Sequence, residues 1–398
     1  MLKYHADNFQ ELDREGSFMR QKLWTALFVL TIGVALATPA SAQLASYSQD
    51  FEALNPADPG ALTGDGWLVF GNVFNADGSY AYGYGPFPAP TGGAGFCAVA
   101  GGAGGPDQGA QHLVVYSDYN NAGHSFGQLI EANVFQEQVV GAGDVGNTML
   151  FQFDAKRDNL DGGTTTLAFF KVLDPALGFA LTQFVTVDMT SVPTNWDTYS
   201  LTIDIDASMV GTILQFGFLS VATGYEGSGV LYDNISFDVA PVAVSLDVRP
   251  GSCPNPINAR ANGVLPVAIM GTADFDVNDI DVSSLRLAGV APISTNQSDE
   301  AAATSTDSCD CSESGPDGWM DLSMKFRNQD IVAALGGAQP GVQALNVTGT
   351  LLDGTSLEGQ DCVIFVGGGN GARNRPDARR IEVGESVRGG RVVDLRQN

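Results

Sequence analysis

The sequence predicts an all-β chain, with a jelly-roll β-sandwich followed by a second, smaller β-sandwich-like domain. Three observations carry that expectation. From Thr148 onward, short segments of period-two alternation recur, separated by Gly, Asn, Asp or Pro clusters. These strands do not alternate with helices, so a βαβ architecture is excluded. Charge then divides the chain: residues 43–240 hold three Lys/Arg against 21 Asp/Glu, and residues 241–398 hold 12 against 20, which supports two domains.

The chain opens with a polar stretch, residues 1–18, read as an upstream extension before a start at Met19, or else as an unusually long n-region. Residues 19–42 have the form of a signal peptide. Arg20 and Lys22 make the basic region, Trp24 to Ala37 the uncharged apolar region, and Ala40-Ser41-Ala42 the small-residue site, with cleavage expected after Ala42. The apolar run is too short for a membrane span, and no spanning run follows. The expected location is therefore secreted or periplasmic, with no transmembrane segment in the mature chain. With a net charge of −26, the protein would repel phosphate backbones, so nucleic acid is excluded as a partner. Three His residues, one of them His5 in the segment expected to be lost, leave little for zinc or acid–base chemistry.

In the first domain, residues 43–240, strands are drawn at Met149–Asp154, Thr165–Val172, Phe184–Asp188, Trp196–Asp206, Ile213–Val221 and Val230–Val239. In the last of these, parity places Asp233 with Leu231, Ile235 and Phe237, facing the core. A lone buried carboxylate is costly unless it is paired, protonated or bound to a metal. The domain's cations are Lys156, Arg157 and Lys171, too few for a ready salt bridge, and hard oxygen ligands suit Ca²⁺. A hydrogen-bonded Asp at a strand end is the other reading.

Asp50-Phe51-Glu52, Gly66-Trp67, Trp196-x-x-Tyr199 and the closing Tyr232-Asp233-Asn234-Ile235 resemble jelly-roll carbohydrate-binding modules over most of residues 43–240. The resemblance implies a structural calcium held by Glu52 and Asp233, with Asp50 as a nearby alternative, and a glycan or cell-surface polymer as partner. Tyr80, Tyr82 and Tyr84, which alternation puts on one face, are the candidate sugar platform; packing of a Gly/Pro-rich loop by these rings is the alternative. The polar stretch from Ser117 to His124 is either a cleft lining or a solvated loop, and Trp67 and Trp196 are assigned to the core. Gly123-His124-Ser125-Phe126-Gly127 matches the nucleophile elbow, but no His follows Ser125 to take its proton, so the match is read as chance.

The second domain begins at Pro241. Val242, Val244, Leu246 and Val248 alternate, and a Pro/Asn-rich turn follows. Leu265–Met270 reads as a strand, with Pro266 pointing to an edge. Met320 to Phe326 alternates, Asn328 caps a short helix closed by Gly336, and Leu345–Leu352 and Cys362–Val366 complete the sheets. Four blocks, VSLDVRPGSCPNPIN, GVLPVAIMGTADFDV, DGWMDLSMKF and VTGTLLDGTSLEGQD, resemble a β module repeated in exported bacterial proteins. That resemblance covers roughly residues 242–366 and implies no activity.

In relatives of that module the DGWMDL block sits in a calcium-type loop, and the resemblance implies Glu313, Asp317 and Asp321 at its positions one, five and nine, with Gly318 at six. Gly315, which has no side-chain oxygen, and Pro316 depart from that pattern. An acidic turn is the alternative. Cys97 stands alone in an apolar stretch and is read as a buried free thiol. Cys253, Cys309, Cys311 and Cys362 lie in the second domain, where export favours two disulfides in one of three connectivities over a four-thiolate zinc site. The tail, residues 367–398, carries seven Arg against four acids. It reads as a solvated extension or as a segment that docks electrostatically on the acidic first domain or on an envelope surface, with a strand possible within Ile381–Leu395.

The sequence therefore points to an exported, non-catalytic binding protein. A structural or adhesive envelope protein is the alternative, and a two-carboxylate glycan-processing enzyme comes third.

Overall fold

The computed structural model describes residues 43–302, 309, 313–337, 341–366 and 391–392. The signal-peptide reading, Cys311 and most of the Arg-rich tail fall outside them.

The first domain is a jelly-roll β-sandwich. Its strands are β1 (Tyr47–Gln49), β2 (Leu68–Phe74), β3 (Tyr80–Pro88), β4 (Cys97–Gly101), β5 (Gln111–Val115), β6 (Leu129–Val139), β7 (Thr148–Leu160), β8 (Thr165–Asp174), β9 (Ala180–Asp188), β10 (Asp197–Asp204), β11 (Ile213–Ala222) and β12 (Ser228–Val239). One sheet runs β10-β7-β12-β5-β4, with β1 also paired to β12; the other runs β9-β8-β11-β6-β2-β3. Their inner faces bury Trp67, Phe151, Phe153, Phe170, Phe216, Phe218, Tyr232 and Phe237 in one apolar core. Aromatic rings interlock within it, with Phe216 on Phe237 at 4.1 Å and Phe218 on Tyr232 at 3.6 Å. Cys97 is a buried free thiol, and burial pushes its pKa up.

The second domain has β13 (Val242–Ala243), β14 (Leu246–Val248), β15 (Asn255–Asn258), β16 (Val264–Ile269), β17 (Ile280–Leu287), β18 (Ser294–Ser298), β19 (Ala301–Ala302), β20 (Glu313–Ser314), β21 (Asp321–Arg327), β22 (Val342–Leu351) and β23 (Ser356–Val366). One sheet is β13-β23-β22-β17 with β15 on β23, and the other is β14-β16-β21-β18. A separate core of Val248, Leu265, Met324, Phe326, Leu345 and Val347 lies between them. A final two-residue strand, β24 (Arg391–Val392), pairs antiparallel with β9.

Four expectations need correction. Pro266 does not mark an edge strand, since β16 lies between β14 and β21. It is tolerated because β14 pairs with Val267 to Ile269 and ends before Pro266, so no ladder N–H is missed there. The helix Asn328–Ala334 is not capped by Asn328; Arg327 is the N-cap, and Asn328 begins the helix with its own N–H on the Gly263 carbonyl. Trp196 is half-buried outside the core, on the outer face of the β7 sheet, with its indole N–H on the Ala103 carbonyl (2.8 Å). Parity also fails at Asp233. The core takes Val230, Tyr232, Ile235 and Phe237, because one extra residue enters β12 between Asp233 and Ser236, where Asn234 adopts φ +46°.

Cys309 bonds to Cys362, and Cys253 is also in a disulfide, so disulfides brace the second domain. Among the described residues no helix is long and apolar enough to cross a membrane.

Candidate functional site

Two regions of the first domain gather functional side chains. The first is an acidic corner formed by the bulge in β12. Before the bulge, β5 covers the edge of β12 up to Tyr232; after it, β1 takes over at Ile235. Asp233 and Asn234 sit in the gap, and Asp50 and Glu52 follow directly from the end of β1. Asp233 faces outward with Leu231, opposite Asp154 of β7, yet is only 1% exposed. Its Oδ1 accepts the Asn234 N–H (2.7 Å), and its Oδ2 is buried with no hydrogen-bond partner. Burial lifts its pKa to about 7, against the pull of the Asn234 amide, with the charges of Glu52, Asp154 and Asp50 adding to the rise.

The neighbouring acids are better served. Glu52 Oε1 accepts the N–H groups of Ala110 (2.7 Å) and Gln111 (2.6 Å). Asp154 accepts the Thr198 hydroxyl on Oδ1 and the amides of Gln108 and Asn234 on Oδ2. Asp50 lines a shallow hollow with Ser48, Gln49, Asn234, Ile235 and Ser236. The structure thus brings the three expected acids to one corner and adds Asp154, whose place in β7 between the core residues Phe153 and Ala155 hid it. Among the described residues, no three His, Cys, Asp or Glu side chains are arranged as a metal-ligand group. The donor chemistry nonetheless fits a hard cation: an orphaned buried carboxylate oxygen sits among further carboxylates.

The second region lies at one end of the sandwich. Asn121 caps a 3-10 turn, Ala122–Phe126, by accepting the Gly123 N–H, and Gly127 closes it in the left-handed region. The turn places His124 beside the β11–β12 loop, where the Gly224 N–H donates to Nδ1 (3.1 Å). The His124 proton therefore sits on Nε2, facing the Ser117 hydroxyl at 3.3 Å, and burial pushes the His124 pKa down. Ser125 does not meet His124; its hydroxyl faces the Tyr225 hydroxyl at 3.4 Å, in a 3-10 turn rather than a strand–helix elbow.

Around this turn the rings form a row. Tyr116 stacks on Tyr119 (6.0 Å, 11°), and Tyr225 lies 6.4 Å from Tyr119 and 5.5 Å from His124. Tyr225 is 64% exposed and Phe126 79%. Tyr82, 45% exposed, joins through the Asn121 amide on its hydroxyl (3.3 Å). Tyr84 lies behind it, half-buried on Gly71, with its hydroxyl donating to Asp118 Oδ2 (2.7 Å). Burial and the Asp118 carboxylate raise its pKa.

The expected single face of three tyrosines is corrected here. Val73 pairs with Tyr82 but Phe74 pairs with Tyr80, so one extra residue in β3 turns Tyr80 to the opposite face. There Tyr80, 59% exposed, meets Phe74 edge-on at 5.8 Å and points over Gly83 toward Phe70. Tyr225 was not anticipated from sequence; it lies about a hundred residues beyond its partners, in a loop whose only signal is an aromatic between Gly224 and Glu226.

On the outer face of the sheet that contains β8, Lys171 donates to Asn133 Oδ1 (2.6 Å), lies 3.6 Å from Glu131, and sits over the rings of Phe169 (4.6 Å) and Phe184 (5.2 Å).

In the second domain, Asp321 is fully buried, with Oδ1 on the Gly271 N–H and Oδ2 on the Glu300 N–H. Asp317 accepts the Trp319 N–H, and Asp299 accepts those of Asp317 and Gly318. These carboxylates therefore organise backbone turns, while the Glu313 side chain lies outside the described residues.

No protein-family model matches the chain, and no curated protein matches it. Similar solved structures include carbohydrate-binding modules. The CBM22-2 xylan-binding domain of Paenibacillus barcinonensis Xyn10C is 13% identical, covering 49% of this chain and 99% of its own, with a TM-score of 0.26. The C-terminal family 22 carbohydrate-binding module of Clostridium thermocellum Xyn10B is 15% identical, covering 49% and 93%, with a TM-score of 0.27. The enzymatically active domain of bacteriophage CBA120 tailspike protein 4 is 13% identical over 47% of this chain, with a TM-score of 0.29, and the match spans only 22% of that tailspike chain.

Proposed function

We propose that the chain is an exported, non-catalytic binding protein whose first domain holds a glycan or cell-surface polymer at the loop-end aromatic row. The observation that carries this reading is the set of solvent-facing rings of Tyr82 and Tyr225 beside Asn121 and Ser125. Aromatic faces supply apolar area to the C–H side of a sugar, and adjacent amides and hydroxyls supply directional contacts to its hydroxyls. The buried undercarriage of Asp118, His124 and Tyr84 fixes those groups in advance, which lowers the ordering cost of binding.

In this reading a structural Ca²⁺ is held by Asp233, Glu52 and Asp50, with Asp154 close by. It offsets the carboxylate repulsion and stiffens the junction of β1, β5 and β12. Export agrees with the signal-like residues 19–42 and with disulfides in the second domain, since such bonds persist in oxidising compartments.

The test is affinity electrophoresis and calorimetry of residues 43–398 against a panel of soluble polysaccharides. At least one should bind, and Tyr225→Ala with Tyr82→Ala should weaken it tenfold or more while leaving the melting temperature unchanged. Unaltered binding by the double variant removes the aromatic row from the function.

A further inference from the structure

Lys171, Asn133 and Glu131 bring an amine, a carboxamide and a carboxylate together on the outer face of one sheet. Lys171 lies on β8 and the other two on β6, with β11 between these strands. Along β11, Lys171 stands opposite Gln215 and Asn133 opposite Leu219; the position between them on that face is Gly217. With no side chain there, the lysine stem crosses the middle strand to reach Asn133.

Lys171 Nζ donates to Asn133 Oδ1 (2.6 Å), an atom bonded to the carboxamide carbon. The Asn133 amide nitrogen donates to Glu131 Oε1 (2.9 Å) and to the Phe70 carbonyl (3.1 Å). Glu131 Oε1 also lies 3.6 Å from Lys171 Nζ and accepts the Asn72 amide (2.9 Å). One carboxylate oxygen therefore faces both the amine and the amide nitrogen. Water is largely excluded: Asn133 is 2% exposed, and Phe135, Phe169, Leu219, Phe70 and Phe184 form an apolar cluster on this face. Burial pulls the Lys171 pKa down, toward the neutral amine that can act as a nucleophile, while Glu131 opposes that shift.

We propose that this cluster closes a covalent isopeptide bond between Lys171 and Asn133, with Glu131 as the proton carrier. The Lys171 ammonium yields one proton to Glu131, and the freed Nζ electron pair attacks Asn133 Cγ. Attack requires Nζ to pass from Oδ1 to the adjoining Cγ, a move that the flexible lysine stem allows. The Cγ–Nδ2 bond then breaks with its electron pair on nitrogen. Nδ2 takes one proton from Glu131 and one from the attacking nitrogen, and leaves as ammonium. No oxidant or co-reactant is consumed. The ion pair of Lys171 with Glu131 is the state that precedes closure. The new amide clips β8 to β6, two strands that are not neighbours in the sheet.

Mass spectrometry of the mature chain, residues 43–398, with its disulfides reduced tests this. The wild type should weigh one ammonia less than its sequence. Peptide mapping should recover the Asn133 and Lys171 peptides as one branched species, uncut by trypsin at Lys171. Mapping is essential, because an N-terminal Gln43 can also cyclise with loss of ammonia. Lys171→Arg keeps the charge and should give only linear peptides. Glu131→Gln keeps both reactants and should lose most of the branched species, since a positioned proton carrier is worth roughly a hundredfold in rate. Linear Asn133 and Lys171 peptides from the folded wild type overturn the bond. A branched species at the wild-type level in Glu131→Gln overturns the role given to Glu131.

Discussion

Asp154 and Asp233 stand opposite each other on β7 and β12, and only Asp154 has both carboxylate oxygens hydrogen-bonded. The buried, orphaned oxygen of Asp233 explains its pKa of about 7, raised from 3.8. The folded state binds this proton more tightly than the unfolded chain does. The associated stability is therefore full below about pH 4 and is lost as pH rises through 7.

In EDTA, the first domain should melt lower at pH 8 than at pH 5.5, and Asp233→Asn should flatten that slope. At pH 8, Ca²⁺ at a hundredfold excess over its Kd should return about 2.7 kcal/mol to the wild type and nothing to the variant. Differential scanning calorimetry at both pH values reads this directly. A wild type indifferent to calcium at pH 8 would exclude the cation site.

Asp361 in the second domain makes a parallel case without a metal. It is buried and accepts the N–H groups of Val248 (2.7 Å) and Cys362 (2.6 Å) and the Asn255 amide (2.8 Å). Burial raises its pKa to about 6, the two backbone amides pull it down, and Asp247 adds to the rise. Between about pH 4 and 6 the second domain should lose on the order of 1–3 kcal/mol. Asp361→Ala should abolish this pH step and cost about 2–4 kcal/mol at pH 5 by stranding the Val248 and Asn255 donors. An unchanged pH step in the variant would assign the titration elsewhere.

Alternation made the strands of both domains legible, because a half-buried strand must repeat every two residues. It failed where one extra residue entered the count. At Asn234 the bulge moved Asp233 off the core face, and in β3 another separated Tyr80 from Tyr82. Asn tolerates a left-handed backbone better than most residues, so the Asp-Asn pair in a strand was a faint signal of the first bulge. No comparable local signal tied Tyr225 to Tyr119, since their meeting depends on two loops of distant sequence. Pro266 misled for a different reason: a proline fits a central strand where the neighbouring strand has already ended.

Lys171 and Glu131 form a largely buried ion pair that couples β8 to β6 across β11. Burial pulls the Lys171 ammonium below its ordinary pKa range while Glu131 pushes back. Burial also opposes the Glu131 charge, but Lys171, Asn133 and Asn72 together hold its carboxyl low. Lys171→Met should cost about 3–5 kcal/mol by leaving Glu131 uncompensated, whereas Lys171→Met with Glu131→Gln should recover most of that loss. Urea unfolding of the single and double variants decides the matter; equal losses in both would mean that the Lys171 stem, rather than its charge, is what the sheet needs.

The Cys309–Cys362 disulfide closes a loop with a sequence separation of 53, tying the chain before β21 to β23, the last strand of the second domain's sheets. Cross-linking a loop of that length removes denatured-state entropy worth about 4 kcal/mol. Cys362 follows Asp361, so the bond also pins the strand that presents the buried carboxylate to Val248 and Asn255. Reduction should therefore lower the second domain's melting transition and leave that of the first domain, whose described cysteine is a buried free thiol, unchanged. Calorimetry with and without a phosphine reductant separates the two transitions. A shift of the first-domain transition alone would contradict the division of the chain into two independent cores.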